Sequence, residues 1–304
     1  MILIADSGST KTHWSVVDRG QLVRQVFTKG MNPYFQTGED MAAEIMNALV
    51  PELDTTGFDE IHFFGAGCLP EKTPLVRGVL AAIFQVDGEI EVDTDMLAAA
   101  KGLCGRNPGI VCIMGTGSNS CFYDGEKITN NVSPLGFILG DEGSGAVLGK
   151  LLLGDLLKNR MSAGLKEKFL GQYGLTQAEI IERVYRRPFP NRFLASLSPF
   201  LAENIGEPGI YELVLNAFKA FLTRNVMQYD YENNKAHFIG SIAFHYKEVL
   251  TAAAREVGVE TGTIVQSPME GLLDYYNSLT PAHKPHPKAT QPHPGPLQRR
   301  GGKR

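Results

Sequence analysis

Very little in this 304-residue chain marks it for metal, redox or membrane work. Its four cysteines, Cys68, Cys104, Cys112 and Cys121, include no CxxC pair and no histidines spaced as partners, so a zinc site or dithiol couple has no support. They read as free thiols among apolar neighbours. No uncharged run reaches the ~20 residues that would span a bilayer. Met1 to Asp6 is a short apolar stretch ending in an acid, without a basic start or a longer apolar core, so no signal peptide is expected and a cytoplasmic location is. A GxxxxGK[ST] run is absent, and no GxGxxG follows a strand; a P-loop and a Rossmann dinucleotide site are both disfavoured.

An excess of positive charge is missing too. Lys and Arg number 29 against 33 Asp and Glu, a net charge of -4, which argues against a dedicated nucleic-acid binder. The balance is uneven. Residues 280–304 hold six basic residues (Lys284, Lys288, Arg299, Arg300, Lys303, Arg304), six prolines and no acid, and without them the chain carries 23 basic against 33 acidic residues. This composition predicts a disordered, basic tail on an acidic body.

The body reads as two related halves. In the first, strands at Ile2–Ala5, His13–Asp18 and Leu22–Phe27 are joined by tight turns and imply an antiparallel meander. A helix Glu39–Leu53, a strand Ile61–Phe64, a helix Thr73–Phe84, a strand Ile90–Val92 and a helix Met96–Leu103 complete the order βββαβαβα. After Gly105-Arg106-Asn107-Pro108 the pattern restarts, with strands Ile110–Met114, Ser120–Tyr123 and Lys127–Val132. Aligning Gly8-Ser9 with Gly117-Ser118 sets Trp14 opposite Tyr123 and reveals an internal repeat. Helices at Gly145–Lys158, Thr176–Val184, Arg192–Glu203, Tyr211–Asp230 and Ile242–Val257, strands Ala236–Ile239 and Thr263–Val265, and a last helix Pro268–Tyr276 follow. Repeated βαβ endings imply parallel strands on the far side of each sheet.

Five segments carry candidate chemistry. Asp6-Ser7-Gly8-Ser9-Thr10-Lys11-Thr12 places a glycine among hydroxyls at a hairpin tip, where backbone amides can approach phosphate oxygens and Lys11 adds charge. Asp6 ends the first strand and could hold Mg2+, an ion that keeps several waters and takes few carboxylates. A plain polar hairpin is the other reading. Gly115-Thr116-Gly117-Ser118-Asn119 repeats the device in the second half, and two such tips in equivalent places suit a polyphosphate clamped between two lobes. In Val92-Asp93-Thr94-Asp95, Asp93 or Thr94 can cap the following helix, capping rather than chemistry being the expected job of Asp93, while Asp95 in its first turn is either a favourable helix charge or a general base. Gly140-Asp141-Glu142-Gly143-Ser144-Gly145 either caps a helix or lets backbone approach a ligand. Gly240-Ser241 is a tight βα turn or a seat for a flat adenine ring.

These elements in this order resemble the superfamily of sugar kinases, heat-shock ATPase chaperones and actin, and most closely the N-acetylglucosamine kinase branch of the BadF/BadG/BcrA/BcrD ATPase family. The resemblance covers residues 1 to about 279 and rests most specifically on Gly115-Thr116-Gly117-Ser118-Asn119 together with Gly140-Asp141-Glu142-Gly143-Ser144. It implies an α/β, two-domain actin-like ATPase (ribonuclease H-like) fold with duplicated βββαβαβα units around an ATP cleft. The first domain would span residues 1–105 with a return helix 268–279, and a larger second domain residues 106–267. The implied activity is transfer of phosphate from ATP to the 6-hydroxyl of an amino sugar, N-acetylglucosamine first, in a homodimer. By the same resemblance Asp95 is the catalytic base, Asp6 the Mg2+ partner, and Gly8, Ser9, Thr10 and Lys11 with Thr116, Gly117 and Ser118 the phosphate loops. Asn32, Asp141 and Thr116 would meet the sugar, and Gly240 and Ser241 adenosine. One position departs from the pattern: Leu135 stands where some members place a tryptophan that packs on the sugar. A second branch, activators that hold an iron-sulfur cluster and hydrolyse ATP to drive a partner protein, needs cysteines in glycine-rich loops at the nucleotide site, where this chain has none in either phosphate loop.

Overall fold

The computed structural model describes residues 1–8 and 10–279; Ser9 and the tail 280–304, with the expectations attached to them, lie outside the described residues. The first half runs β1 (Ile2–Ser7), β2 (Lys11–Asp18), β3 (Gln21–Lys29), α1 (Gly38–Glu44), β4 (Gly57–Phe58), β5 (Glu60–Gly65), α2 (Thr73–Ile83), β6 (Gln85–Val86), β7 (Ile90–Thr94) and α3 (Asp95–Cys104). Its main sheet has the order β3-β2-β1-β5-β7, antiparallel through β1 and parallel from β1 to β7, while β4 and β6 form a separate two-stranded ribbon.

The second half runs β8 (Gly109–Met114), β9 (Ser118–Tyr123), β10 (Ile128–Val132), α4 (Gly136–Leu139), α5 (Gly145–Leu157), α6 (Leu165–Tyr173), α7 (Gln177–Tyr185), α8 (Pro190–Ala195), α9 (Ser198–Glu203), α10 (Pro208–Arg224), β11 (Ala236–Ile239), α11 (Ser241–His245), α12 (Lys247–Val257), β12 (Thr261–Val265) and α13 (Met269–Leu279). The sheet order β10-β9-β8-β11-β12 repeats that of the first half, again with parallel pairing on the β8-β11-β12 side. Both hairpins and both sets of parallel strands therefore form where the sequence places them.

The differences from the sequence reading are local. Counting from the tip pairs Ser7↔Thr12 and Met114↔Ser118, Trp14 corresponds to Ser120 and not to Tyr123, because the two tips differ in length. The helix expected over Glu39–Leu53 is α for one stretch only: Thr37 and Asp40 close a capping box at its start, then the backbone widens into a π turn at Ile45–Leu49 and tightens at Val50–Glu52, where Pro51 has no amide to donate. Arg192–Glu203 is split around Leu197, with Pro199 in the first turn of α9. Ile242–Val257 is split at Tyr246, and the long helix starts at Pro208 and ends at Arg224. α6 had no expectation attached, although Leu165 and Phe169, four residues apart, are its buried side.

Packing explains how the halves meet. One face of the first sheet (Leu3, Ala5, Trp14, Phe63) is covered by α1 and α2, and the other (Ile4, Val17, Phe64) by α3 and α13 through Ala98, Met269, Leu272 and Tyr276. The second sheet buries one face under its helical layer, including Phe218, Phe221 and Leu250, and turns the other toward α3 through Val111, Cys121, Tyr123 and Ile239. α3 is thus shared by both sheets. Its small residues permit this: Ala98, Ala99 and Ala100 are all buried, and α3 meets α13 backbone to backbone, since a Cβ on Gly271 would stand 1.8 Å from the Gly102 carbonyl oxygen. Overpacking a closed contact costs about 1–3 kcal/mol. Gly271→Ala is accordingly expected to lower the thermal midpoint by about 3–10 °C in a melt followed by circular dichroism, whereas Gly78→Ala, which meets nothing within 4 Å, leaves it unchanged or raised.

Candidate functional site

Parallel pairing aligns three strand ends. Ser7 of β1 lies beside Gly65 of β5, and Gly65 beside Thr94 of β7, so the segments that follow all leave the sheet at one edge. Alternation then sorts the side chains of β1. Ser7 points toward the α1 and α2 side, where its Oγ is 2.7 Å from Thr12 Oγ1, accepts from Met31 N at 2.9 Å and donates to the Met31 carbonyl at 3.0 Å. Those bonds fix the segment that carries Asn32. Asp6 points to the other face, the one covered by α3.

Asp95 is the first residue of α3. Of the two candidate caps Thr94 is the N-cap, accepting from Leu97 N at 3.3 Å, while Asp93 accepts from Thr94 N at 2.6 Å. The extended backbone of a cap residue and a hydroxyl of the right reach fall on Thr94. Burial pushes the Asp95 carboxyl up to about 6, against the pull of hydrogen bonds from the backbone amides of Met96 and of Asp95 itself. Asp6 is pushed further, to about 7, first by burial and then by the charge of Asp95, with Lys11 opposing. Two carboxylates therefore share one enclosed place, each raising the cost of ionising there.

The turn after β5 completes this cluster. Gly67 has φ +79°, and a Cβ on it would stand 2.2 Å from Asn32 Oδ1, so only glycine lets Asn32 lie there. Asn32 is oriented by Tyr34 N, which donates to its Oδ1 at 2.9 Å, and by its own amide donating to Gln36 Oε1 at 2.6 Å. Cys68 belongs to the same wall: its thiol is pushed up to about 12 by burial and then by Asp95 and Asp93. Sequence reasoning passed over this turn, although Gly65-Ala66-Gly67-Cys68 at a strand end was the available signal. A thiol 1% exposed and so reluctant to ionise is poorly suited to ligate a cluster.

The second tip is laced to the first turn of α5 and to the segment before it. Gly115 N donates to the Gly117 carbonyl at 2.9 Å, Gly145 N to the Gly115 carbonyl at 2.8 Å and Ala146 N to the Thr116 carbonyl at 3.1 Å. Ser118 Oγ donates to the Glu142 carbonyl at 2.8 Å. Asp141 sits in the left-handed region, φ 52°, which carries its carboxylate onto Gly117, where a Cβ would be 2.9 Å from Oδ2. Burial pushes Asp141 up to about 6, with the Ser118 amide opposing and Glu142 adding to the rise. Glu142 turns the other way, to Arg224 Nη1 at 2.6 Å and Asn225 Nδ2 at 3.4 Å, and so anchors α10. Gly240, φ +115°, is a close βα turn, because a Cβ would meet the Met114 carbonyl oxygen at 2.3 Å; Ser241 opens α11 on the surface. Thr10 and Lys11 are exposed on the first tip, and Lys11 Nζ stands 4.4 Å from the Phe27 ring centroid.

The sequence-derived residues thus fall into two clusters at the ends of the central strands: Asp6, Gly8, Thr10, Lys11, Asn32 and Asp95 at the first sheet, and Thr116, Gly117, Ser118, Asp141, Gly240 and Ser241 at the second. Leu135 opens α4 with φ 63° and is 61% exposed. No group of three or more His, Cys, Asp or Glu that could hold a metal occurs among the described residues, nor does a helix long and apolar enough to cross a membrane.

Duplicated sheets of this order, each with a glycine and hydroxyl tip, define an actin-like ATPase fold of the sugar-kinase type. The comparisons carry the assignment further. A solved structure from Porphyromonas gingivalis, described as a candidate N-acetylglucosamine kinase, is 50% identical, superposes with a TM-score of 0.89, and is matched over 91% of this chain and 99% of its own. The chain belongs to the N-acetylglucosamine kinase branch of the sugar kinases. A curated N-acetyl-D-glucosamine kinase of Dictyostelium discoideum is 29% identical over 176 residues, 53% of this chain, and the match spans 55% of that relative's length. A candidate N-acetylglucosamine kinase from Chromobacterium violaceum, 16% identical with a TM-score of 0.71 over 90% of this chain and 98% of its own, shares the fold. No family model matches.

The raised carboxylates have a cost that depends on pH. A carboxyl whose folded value lies near 6, against an ordinary 3.8, favours the folded state when protonated, and that support is lost as pH rises through about 6. Asp95→Asn removes the penalty. The variant should melt several degrees above the wild type at pH 8, and the gain should fade toward pH 4, as checked by thermal melts across that range.

Proposed function

We propose that the protein transfers the γ-phosphoryl group of ATP to the 6-hydroxyl of an amino sugar, N-acetylglucosamine first. The observation that carries this reading is the pairing of Asp95 with Asp6 in one enclosed place at the edge of the first sheet. Asp95, half-buried at a helix start and with its carboxyl near 6, is ionised at neutral pH yet basic enough to accept a hydroxyl proton. In-line transfer asks little else of the protein than positioning and charge stabilisation. Amides and hydroxyls of the tips supply donors: Gly8, Ser9, Thr10 and Lys11 on one side, Thr116, Gly117 and Ser118 on the other. Asn32, Thr116 and Asp141 hold the sugar, and Gly240 with Ser241 borders adenosine.

Mg2+ fits the donor set at Asp6. That carboxylate is driven toward protonation by burial and by Asp95, a stress a cation relieves, and Mg2+ commonly takes one or two carboxylates and keeps its waters. When bound it would neutralise phosphate charge. The same reading divides the chain into a first lobe of residues 1–105 with the returning helix 268–279 and a second lobe of 106–267, closing to exclude water from the transfer. It includes a cytoplasmic homodimer, a compartment consistent with four free, buried cysteines.

A coupled ADP-release assay tests it against N-acetylglucosamine, glucosamine, N-acetylmannosamine, N-acetylmuramic acid and glucose. N-acetylglucosamine should raise ADP release well above the ATP-only rate, with kcat/KM falling below about pH 6, and Asp95→Asn should lower kcat by about 10²–10⁴-fold. Release indifferent to every sugar would instead favour an ATPase that drives a partner protein.

A further inference from the structure

α3 has two unlike sides. Toward the second sheet it presents Met96, Ala99, Ala100 and Cys104, packed on Val111, Cys121, Tyr123 and Ile239. Among the described residues the one hydrogen bond across that side runs from the Tyr123 hydroxyl to the Gly105 carbonyl at 3.2 Å, just past the end of the helix. Toward the first sheet it presents Ala98 and Lys101. Lys101 is 7% exposed, and its ammonium donates to Glu91 Oε1 at 2.5 Å and to the Tyr276 hydroxyl at 3.1 Å, above the ring of Phe64 at 5.0 Å. The Tyr276 hydroxyl donates to Glu91 Oε2 at 2.5 Å, an oxygen also 2.8 Å from His62 Nδ1, and the His62 ring stacks on Tyr276 at 3.9 Å. Burial alone would raise the Glu91 carboxyl, but His62, Lys101 and Tyr276 together hold it down to about 2.

We propose that Lys101 is a positioning residue for Asp95: its ion pair with Glu91 fixes where α3 sits along the first sheet, and so where the carboxylate at the start of the helix stands. The inference rests on the kinase reading above, with Asp95 as base. Thr94 joins the start of α3 directly to β7, but contacts made by alanine, glycine and methionine are not directional and tolerate a tilt or rotation of the helix about that junction. A buried ammonium satisfied by a carboxylate and a phenol has one register. Lys101 lies six residues from Asp95, ~9 Å along the axis at 1.5 Å per residue, and an α-helix transmits a shift over that length. The polar lock also assigns the helix to the first sheet. On closure the second sheet moves against an apolar side and carries its loops to an Asp95 that stays beside Asp6 and Asn32.

The test uses the full chain as wild type, Lys101→Met, and Lys101→Met with Glu91→Leu, in the ADP-release assay and in thermal melts. Lys101→Met should lower kcat about 10–100-fold, since a misplacement of ~1 Å can cost 10²-fold, while KM for ATP stays within about twofold. The double variant exchanges the buried pair for apolar groups and should recover the thermal midpoint, yet kcat should remain low because the register is not restored. A Lys101→Met enzyme with wild-type kcat, or a double variant whose kcat returns together with its midpoint, would overturn the proposal. If Lys101→Met does not fold, Tyr276→Phe removes only a hydroxyl and should show the same split in milder form; an unaltered kcat there overturns it equally. A wild type without sugar-dependent release would overturn the kinase reading itself, a result distinct from an active wild type with an equally active variant.

Discussion

Two sheets share one helix, and everything else in the molecule is arranged around that constraint. α3 can lie between them only because its central residues are alanines and because Gly102 and Gly271 let α13 cross it at backbone distance. A helix placed this way has its start where the parallel strands of the first sheet end, since Thr94 closes β7 and caps α3 in a single residue. Asp95 therefore stands at the edge that also carries the Gly8 tip and the Gly67 turn, without a long loop to position it.

The electrostatics follow from the same crowding. Asp6 comes from β1 and Asp95 from the start of α3, just past β7, and both reach one enclosed place, so each is harder to ionise than a surface carboxylate. Stability is lost there at neutral pH, a cost that a cation beside the carboxylates would offset. At the second sheet Asp141 is held against Gly117 by a strained backbone angle, again with its carboxyl raised by burial. Raised carboxylates gathered at the two tips, with apolar layers packed beneath them, are the distribution expected of a site where chemistry comes at some expense of stability.

Much of this was legible in the amino-acid order. Short apolar runs such as Ile2–Ala5 and His13–Asp18, broken by glycine and hydroxyl residues, locate strands and tips within two residues or so, because central strands are buried almost continuously and the breakers bound them. What escaped depends on contacts distant in sequence or on cap geometry. Asp93 and Thr94 are equal candidates on paper, and only backbone direction decides for Thr94. Asp141 and Glu142 look interchangeable, but one faces Gly117 and the other Arg224. The network of His62, Glu91, Lys101 and Tyr276 spans residues from four elements, and no local pattern could assemble it. An alanine-rich helix likewise gives no hint that both of its sides are buried.

The central claim is that Asp95 faces the hydroxyl to be phosphorylated while the two tips grip the phosphates. A crystal structure of the wild type with N-acetylglucosamine and a non-hydrolysable ATP analogue tests it most directly. The account predicts the sugar 6-hydroxyl within about 2.6–3.2 Å of an Asp95 oxygen, Asn32 and Asp141 on the other hydroxyls, and the phosphates against Gly8–Lys11 and Thr116–Ser118. A sugar seated with its 6-hydroxyl away from Asp95, or a nucleotide bound elsewhere than between the two tips, would contradict it.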